Sequence, residues 1–126
     1  MPDAIPHLPP RPCDGHKGDF GVVVVVGGCG GPAVVMLGAP VLACLGALRA
    51  GAGRCVLAVP DPLVQTSLSL VPSATGWPLA CDASGELHAK AAESVESALA
   101  VATVAVVGPG LGRSNGATAV VKAVLE

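Results

Sequence analysis

Two short apolar segments each run directly into a glycine-rich turn, and this pairing constrains the fold more than any other feature. The first is Val22–Val26, followed by residues 27–31 (GGCGG), and the second is Val104–Val107, followed by residues 108–112 (GPGLG). Continuous apolar runs of this length predict strands that are buried on both faces, as in a parallel sheet covered by helices. Glycine after such a strand is expected to leave backbone N–H groups bare at the carboxyl edge, where open α/β sheets bind ligands. The pairing therefore predicts a nucleotide-handling α/β protein.

The remaining elements alternate between helix and strand. Apolar periodicity and end signals predict helices at 40–50, 86–100 and 115–125 and a further strand at 55–59, while residues 63–80 are ambiguous. This alternation predicts right-handed crossovers and a parallel sheet of three strands. Three strands make a thin sheet with an exposed apolar edge, so we expect the sequence to be part of a larger domain.

Composition excludes several classes of function. The 126 residues carry a formal net charge of −2 and only two aromatic residues, so neither a basic patch nor a stacking platform for nucleic acid is expected. Five cysteines without a C-x-x-C pair argue against a disulfide framework or zinc site and predict a reducing, cytoplasmic location. The uncharged run is broken at residues 27–32, so no membrane span is predicted, and the N-terminus has no secretory signal.

Local motifs identify few side chains that could bind a ligand or take part in catalysis. Residues 28–33 (GCGGPA) match the G-x-G-x-x-A dinucleotide fingerprint only formally, because the first acid after the second predicted strand is Asp61, too far along. No P-loop sequence is present. Lys17, beside His16, either contacts an anion or is simply solvated, and residues 108–112 form either a tight turn or a ligand contact.

Several segments taken together resemble a known family. In order they are residues 16–21 (HKGDFG), the valine strand with Gly27 and Gly28, residues 36–40 (MLGAP), residues 48–53 (LRAGAG) and residues 108–112 (GPGLG). This series is similar to the ADP/ATP-dependent (S)-NAD(P)H-hydrate dehydratases, the carbohydrate-kinase-like domain of nucleotide repair proteins. The resemblance divides the chain into a proline-rich lead-in, residues 1–15, and the N-terminal part of such a domain, residues 16–126.

The resemblance implies a truncated ribokinase-like fold with three αβα layers and a mainly parallel sheet. It implies that ADP or ATP with Mg²⁺ is used to dehydrate hydrated NADH or NADPH, and that the full-length protein forms a homo-oligomer. Ala39 and Gly110 would contact the hydrated dinucleotide, because small residues let a ligand approach the backbone. Gly108 and Lys17 complete the set of predicted binding residues.

The sequence departs from the family in two respects. It has more residues between Cys29 and Met36 than the family usually places there. It also contains neither the P-H-P-G-E segment nor the G-x-G-D segment with the catalytic Asp. We therefore expect no catalytic or metal-binding residue in this chain and no activity from it alone. A ribokinase-like small-molecule kinase and a non-catalytic dinucleotide-binding module remain the alternatives.

Overall fold

A computed structural model describes residues 7–126, which form a four-stranded parallel sheet between two layers of helices. The strands in chain order are β1 (Val22–Val26), β2 (Cys29–Gly30), β3 (Val35–Met36), β4 (Arg54–Pro60), β5 (Thr75–Leu79) and β6 (Val104–Val107). The helices are α1 (Gly38–Ala50), α2 (Val64–Leu70), α3 (Ala91–Leu99) and α4 (Asn115–Leu125). The large sheet has the order β5-β4-β1-β6, and β2 and β3 form a separate antiparallel hairpin.

The last three valines of β1 are buried from both sides, as the apolar run predicts. The same prediction is wrong for β6, which lies at the edge of the sheet and exposes Val104 and Val106. Val24, Val25 and Val26 have no exposed surface. Val24 and Val26 pack in the cluster that contains α3 and α4, whereas Val25 packs in the cluster that contains α1 and α2. Successive side chains of a strand point to opposite faces, so a strand between two helix layers needs apolar residues throughout.

Helix α1 ends where the sequence predicts, and it begins two residues before the predicted start at Pro40. Gly51 adopts the left-handed conformation at the C-terminal cap and donates its N–H to the carbonyl of Leu48 at 3.1 Å. Helix α4 is capped by Ser114, whose side chain accepts a hydrogen bond from the N–H of Ala117 at 3.1 Å. Both caps confirm the end signals read from the sequence.

Two predicted elements are wrong in extent or number. The sheet has four strands and not three, because the ambiguous segment folds into α2 and the edge strand β5. The helix predicted over residues 86–100 begins only at Ala91. Leu87 instead forms an antiparallel bridge with Cys81, and His88 donates its N–H to the carbonyl of Ala80 at 2.9 Å. Leu87 therefore belongs to an extended pairing and not to α3, which follows a turn at residues 89–90.

The first residues described by the structure lie against the amino edge of the sheet. Residues 7–12 have no regular structure and are exposed, and the first six residues of the predicted lead-in lie outside the described part. Arg11 stacks its guanidinium 4.1 Å from the centroid of the Phe20 ring and hydrogen-bonds the carbonyl of Gly51. His16 and Asp19 form a reciprocal capping pair around the short 3₁₀ turn Lys17–Phe20.

All five cysteines are free. Cys44 and Cys55 are buried in the core between α1 and the sheet, as predicted for small apolar residues. The neighbouring Cys44 side chain and burial both raise the pKa of the Cys55 thiol, which favours its neutral form. Across residues 7–126, no helix combines the length and apolarity that a membrane crossing requires.

Candidate functional site

Three backbone N–H groups of the glycine turns are not bare, which corrects the expectation from the sequence for Gly27, Gly28 and Gly108. Gly27 donates to the carbonyl of Ala58 at 3.0 Å, and Gly108 donates to the carbonyl of Val26 at 3.1 Å. Gly28 donates to the carbonyl of Pro109 at 2.9 Å. The first two bonds extend the sheet ladder beyond the strands, and the third ties the two glycine turns together. These amides hold the turns in place and are not available to a ligand.

The start of α1 offers free amides, which Gly27, Gly28 and Gly108 do not. Leu37 occupies the N-cap position, but its side chain accepts no capping hydrogen bond. The first helical hydrogen bond runs from the N–H of Val41 to the carbonyl of Leu37 at 3.3 Å. The N–H groups of Gly38 and Ala39 precede that bond, and both residues are exposed. The start of a 13-residue helix also carries positive dipole charge. This end of α1 therefore suits a phosphate or another anion.

Gly27 brings the start of α1 and the turn after β6 into contact. A Cβ atom at Gly27 would overlap the carbonyl oxygen of Pro109 and lie 3.2 Å from the Cβ of Pro40. Gly108, one residue before Pro109, has no atom within 4 Å of the position where a Cβ would stand. The structure thus gathers Ala39, Gly108 and Gly110 at the carboxyl edge of β1 and β6.

Residues 29–36 form the β2–β3 hairpin, which borders this site. Cys29 pairs with Met36, and Gly30 pairs with Val35. On one side a Cβ at Gly112 would lie 3.3 Å from the Cβ of Cys29. On the other side a Cβ at Gly110 would lie 3.1 Å from the Cβ of Met36. The segment that the sequence predicts to be longer than in the family therefore folds as a hairpin packed along the turn that follows β6.

Lys17 does not join the other predicted binding residues. It lies in the 3₁₀ turn before β1, at the amino edge of the sheet, whereas Ala39, Gly108 and Gly110 lie at the carboxyl edge. Its carbonyl oxygen packs directly on Gly53, next to the start of β4. A contact of Lys17 with an anion stays a prediction, separate from the site at the carboxyl edge.

Two cavities flank the sheet at opposite edges. One of about 750 Å³ lies at the amino edge, beneath the proline-rich residues 8–12, and has a mainly apolar lining. One of about 480 Å³ lies between the loop before α3 and the start of α4, and its lining includes Asp82, His88 and Arg113. Hydrogen bonds from Ser84 hold the pKa of Asp82 below its usual range. This carboxylate therefore stabilises its own loop. No pattern in the sequence predicts this polar cavity.

No metal centre is found among the described residues. In residues 7–126, no group of three or more His, Cys, Asp or Glu side chains is placed to hold a metal ion. The site at the carboxyl edge is instead built from backbone and from small side chains. Such a site binds by close approach of a ligand to the main chain.

Comparison with known proteins gives consistent matches. A family model described as NAD(P)H-hydrate dehydratase matches residues 23–126. The bifunctional NAD(P)H-hydrate repair enzyme Nnr of Thermanaerovibrio acidaminovorans is 38% identical over 112 residues, which are 88% of this chain and 21% of that protein. The corresponding Coxiella burnetii enzyme is also 38% identical, over 96% of this chain and 22% of its own length. This chain therefore spans about a fifth of the length of these relatives.

A solved structure shows the same architecture. The ADP/ATP-dependent NAD(P)H-hydrate dehydratase from Bacillus subtilis, co-crystallized with ATP/Mg²⁺, matches with a TM-score of 0.68 and 27% identity. The match covers 94% of this chain and 38% of that one. The expected ribokinase-like arrangement of a parallel sheet between helices is confirmed for the part that this chain covers.

Proposed function

Because the chain belongs to the NAD(P)H-hydrate dehydratase family, we propose that it supplies the dinucleotide-binding part of a domain that repairs hydrated NADH and NADPH. In the proposed reaction, the terminal phosphoryl group of ADP or ATP, bound with Mg²⁺, is transferred to the hydroxyl that hydration has added to the nicotinamide ring; the hydroxyl loses its proton, and AMP or ADP is released. The phosphate then leaves together with a proton from the adjacent ring carbon, which restores the ring double bond. The substrate is the S form of the hydrate.

One observation carries this assignment. The uncapped start of α1 and the turn after β6 meet at Gly27, so exposed amides and two glycines face the same edge of the sheet. Ala39 is exposed beside those amides. We assign the diphosphate of the dinucleotide to the N–H groups of Gly38 and Ala39, and the adjoining part of the ligand to Gly108 and Gly110.

The phosphoryl-transfer chemistry rests on the family rather than on residues of this chain. The binding residues assigned here carry no side-chain proton acceptor, and the described residues offer no metal-ligand group. We therefore assign no Mg²⁺ ligand and no catalytic base to this chain. The proposed role of residues 1–126 is to bind and orient the hydrated dinucleotide.

Three further expectations stay predictions. Contact with ADP or ATP, a homo-oligomeric full-length protein and a cytoplasmic location all rest on the resemblance or on composition.

Ala39→Leu tests the proposed site. Ala39 is exposed at the start of α1, so a leucine there leaves the helix intact but occupies space beside the free amides. We expect titration with (S)-NADH hydrate to show binding weakened by about tenfold or more, a loss of at least about 1.4 kcal/mol. Ala50→Leu, at the other exposed end of the same helix, is the matched control and should bind as the wild type does.

The outcomes separate the alternatives. Wild-type binding that Ala39→Leu reduces and Ala50→Leu does not supports the proposal. Equal affinity in all three proteins would place the ligand elsewhere on the chain, and no binding by the wild type would refute the proposed function.

A further inference from the structure

Met36 lies between the two glycine turns of the candidate site. A Cβ at Gly110 would stand 3.1 Å from the Cβ of Met36 and 3.4 Å from its carbonyl oxygen. A Cβ at Gly28 would stand 3.4 Å from the same carbonyl oxygen. Met36 also ends β3 and is separated from the start of α1 by Leu37 alone. It therefore borders the turns after β1 and β6 as well as the start of α1.

The side chain of Met36 has no part in the core. It belongs to neither of the two core clusters among the described residues, and 36% of its surface is exposed. Its neighbour Leu37 does pack on the core between α1 and the sheet. An apolar side chain left at the surface beside a ligand site is available for contact with that ligand.

Met36 also differs in size from the residues around it. The other members of the site have short or rigid side chains, or none: Gly27, Gly28, Gly38, Ala39, Pro40, Gly108, Pro109 and Gly110. Main-chain amides at the start of α1 suit phosphate, but they offer nothing to an apolar ring. Met36 is the residue of this set whose side chain is long, flexible and polarizable enough to pack against a ring.

We propose that the Met36 side chain forms the apolar wall against which the nicotinamide ring of the bound dinucleotide packs. This inference rests on the proposed function and adds a residue that determines affinity for the ring. Adenine is the less suited occupant, because its ring nitrogens and amino group require several polar partners. The hydrated nicotinamide ring has saturated carbon atoms, which pack well against a thioether chain.

Three variants separate contact with the ring from a structural role. Met36→Ala removes the wall, Met36→Gln keeps its length but makes it polar, and Met36→Leu keeps its apolar volume. Leu70→Ala truncates an exposed apolar residue of α2 that lies away from the glycine turns, and it serves as the control. Two ligands are titrated into the full chain by calorimetry: (S)-NADH hydrate, and ADP-ribose, which lacks the nicotinamide ring.

The expected result is a loss that depends on the ring. Met36→Ala and Met36→Gln should bind (S)-NADH hydrate about tenfold more weakly, because contact with apolar surface is lost. Their affinity for ADP-ribose should not change, and Met36→Leu and Leu70→Ala should match the wild type for both ligands. All four variants should unfold at the wild-type urea midpoint within a few tenths of a molar unit.

Two results would overturn the inference while leaving the proposed function intact. One is unchanged affinity of Met36→Ala for (S)-NADH hydrate. The other is an equal loss of affinity for ADP-ribose, which would show that Met36 contacts the shared part of the ligand or shapes the turns. Failure of the wild type to bind (S)-NADH hydrate would instead refute the proposed function, and this inference with it.

Discussion

Gly27→Ala tests how closely three segments pack together: the turn after β1, the start of α1 and the turn after β6. Gly27 is buried, and a Cβ there would overlap the carbonyl oxygen of Pro109 and lie 3.2 Å from the Cβ of Pro40. Both contacts are with rigid proline residues, so an alanine side chain fits at this position only if the turn after β6 moves away from it. That movement stretches the hydrogen bond from the N–H of Gly28 to the carbonyl of Pro109, which is 2.9 Å long.

The contributions to the free energy of unfolding can be compared. Overpacking of a well-packed interior costs about 1–3 kcal/mol. Loss of one hydrogen bond costs about 1 kcal/mol more. Replacing glycine with alanine recovers up to about 1 kcal/mol by restricting the unfolded chain. The net expectation is that Gly27→Ala lowers the free energy of unfolding by about 1–3 kcal/mol.

The assay is urea unfolding followed by circular dichroism. Gly46→Ala is the control, because Gly46 is exposed in the interior of α1 and a Cβ there meets no atom within 4 Å. The same chemical change should stabilise the chain at this position by about 0.5–1 kcal/mol, since alanine favours helix. A Gly27→Ala variant as stable as the wild type would refute the claim that these segments are in close contact.

Three other outcomes are expected. The 126-residue chain with ADP or ATP and Mg²⁺ should not recover the absorbance of NADH from (S)-NADH hydrate, because its assigned binding residues hold no proton acceptor; turnover above background would contradict this. The β6 edge exposes Val104 and Val106, so the chain should bind a hydrophobic dye and self-associate in size-exclusion chromatography, and Val104→Lys should reduce both. Unchanged dye binding by that variant would place the apolar surface elsewhere. Hydrogen bonds lower the folded-state pKa of Asp82, so its stabilisation is present above the unfolded pKa and is lost as pH falls through the folded pKa. The difference in stability between wild type and Asp82→Ala should therefore disappear in acid, and a difference that persists at low pH would rule out this cause.

The strands and helix ends that follow strong local signals are predicted correctly from the sequence. The apolar runs of β1 and β6 each form the predicted strand, but only β1 is covered on both faces, because β6 lies at the edge of the sheet and exposes Val104 and Val106. Gly51 and Ser114 mark helix ends through their own backbone and side-chain chemistry. In each case the residue that carries the signal also makes the interaction.

The errors arise where distant partners decide the local structure. Strand β5 (Thr75–Leu79) contains Gly76 and Pro78, which argue against a strand in isolation. An edge strand tolerates proline because one side of it has no partner, and β4 provides the other side. Leu87 fits the apolar spacing of the helix that follows, yet it is buried through its bridge with Cys81. Periodicity identified it as a core residue but not the element that buries it.

Glycine illustrates the same limit within the candidate site. The sequence presents Gly27, Gly28, Gly108 and Gly110 as equivalent members of two turns, and it predicts that all of them expose backbone to a ligand. The contacts distinguish these glycines. The carbonyl oxygen of Pro109 leaves no room for a Cβ atom at Gly27, and Gly110, at φ +65°, packs against Met36. Gly108 has φ +117° and faces no protein atom within 4 Å of its missing side chain. Protein packing therefore accounts for the absence of a side chain at Gly27 but leaves open space beside Gly108, and that space is where the proposed dinucleotide meets the main chain.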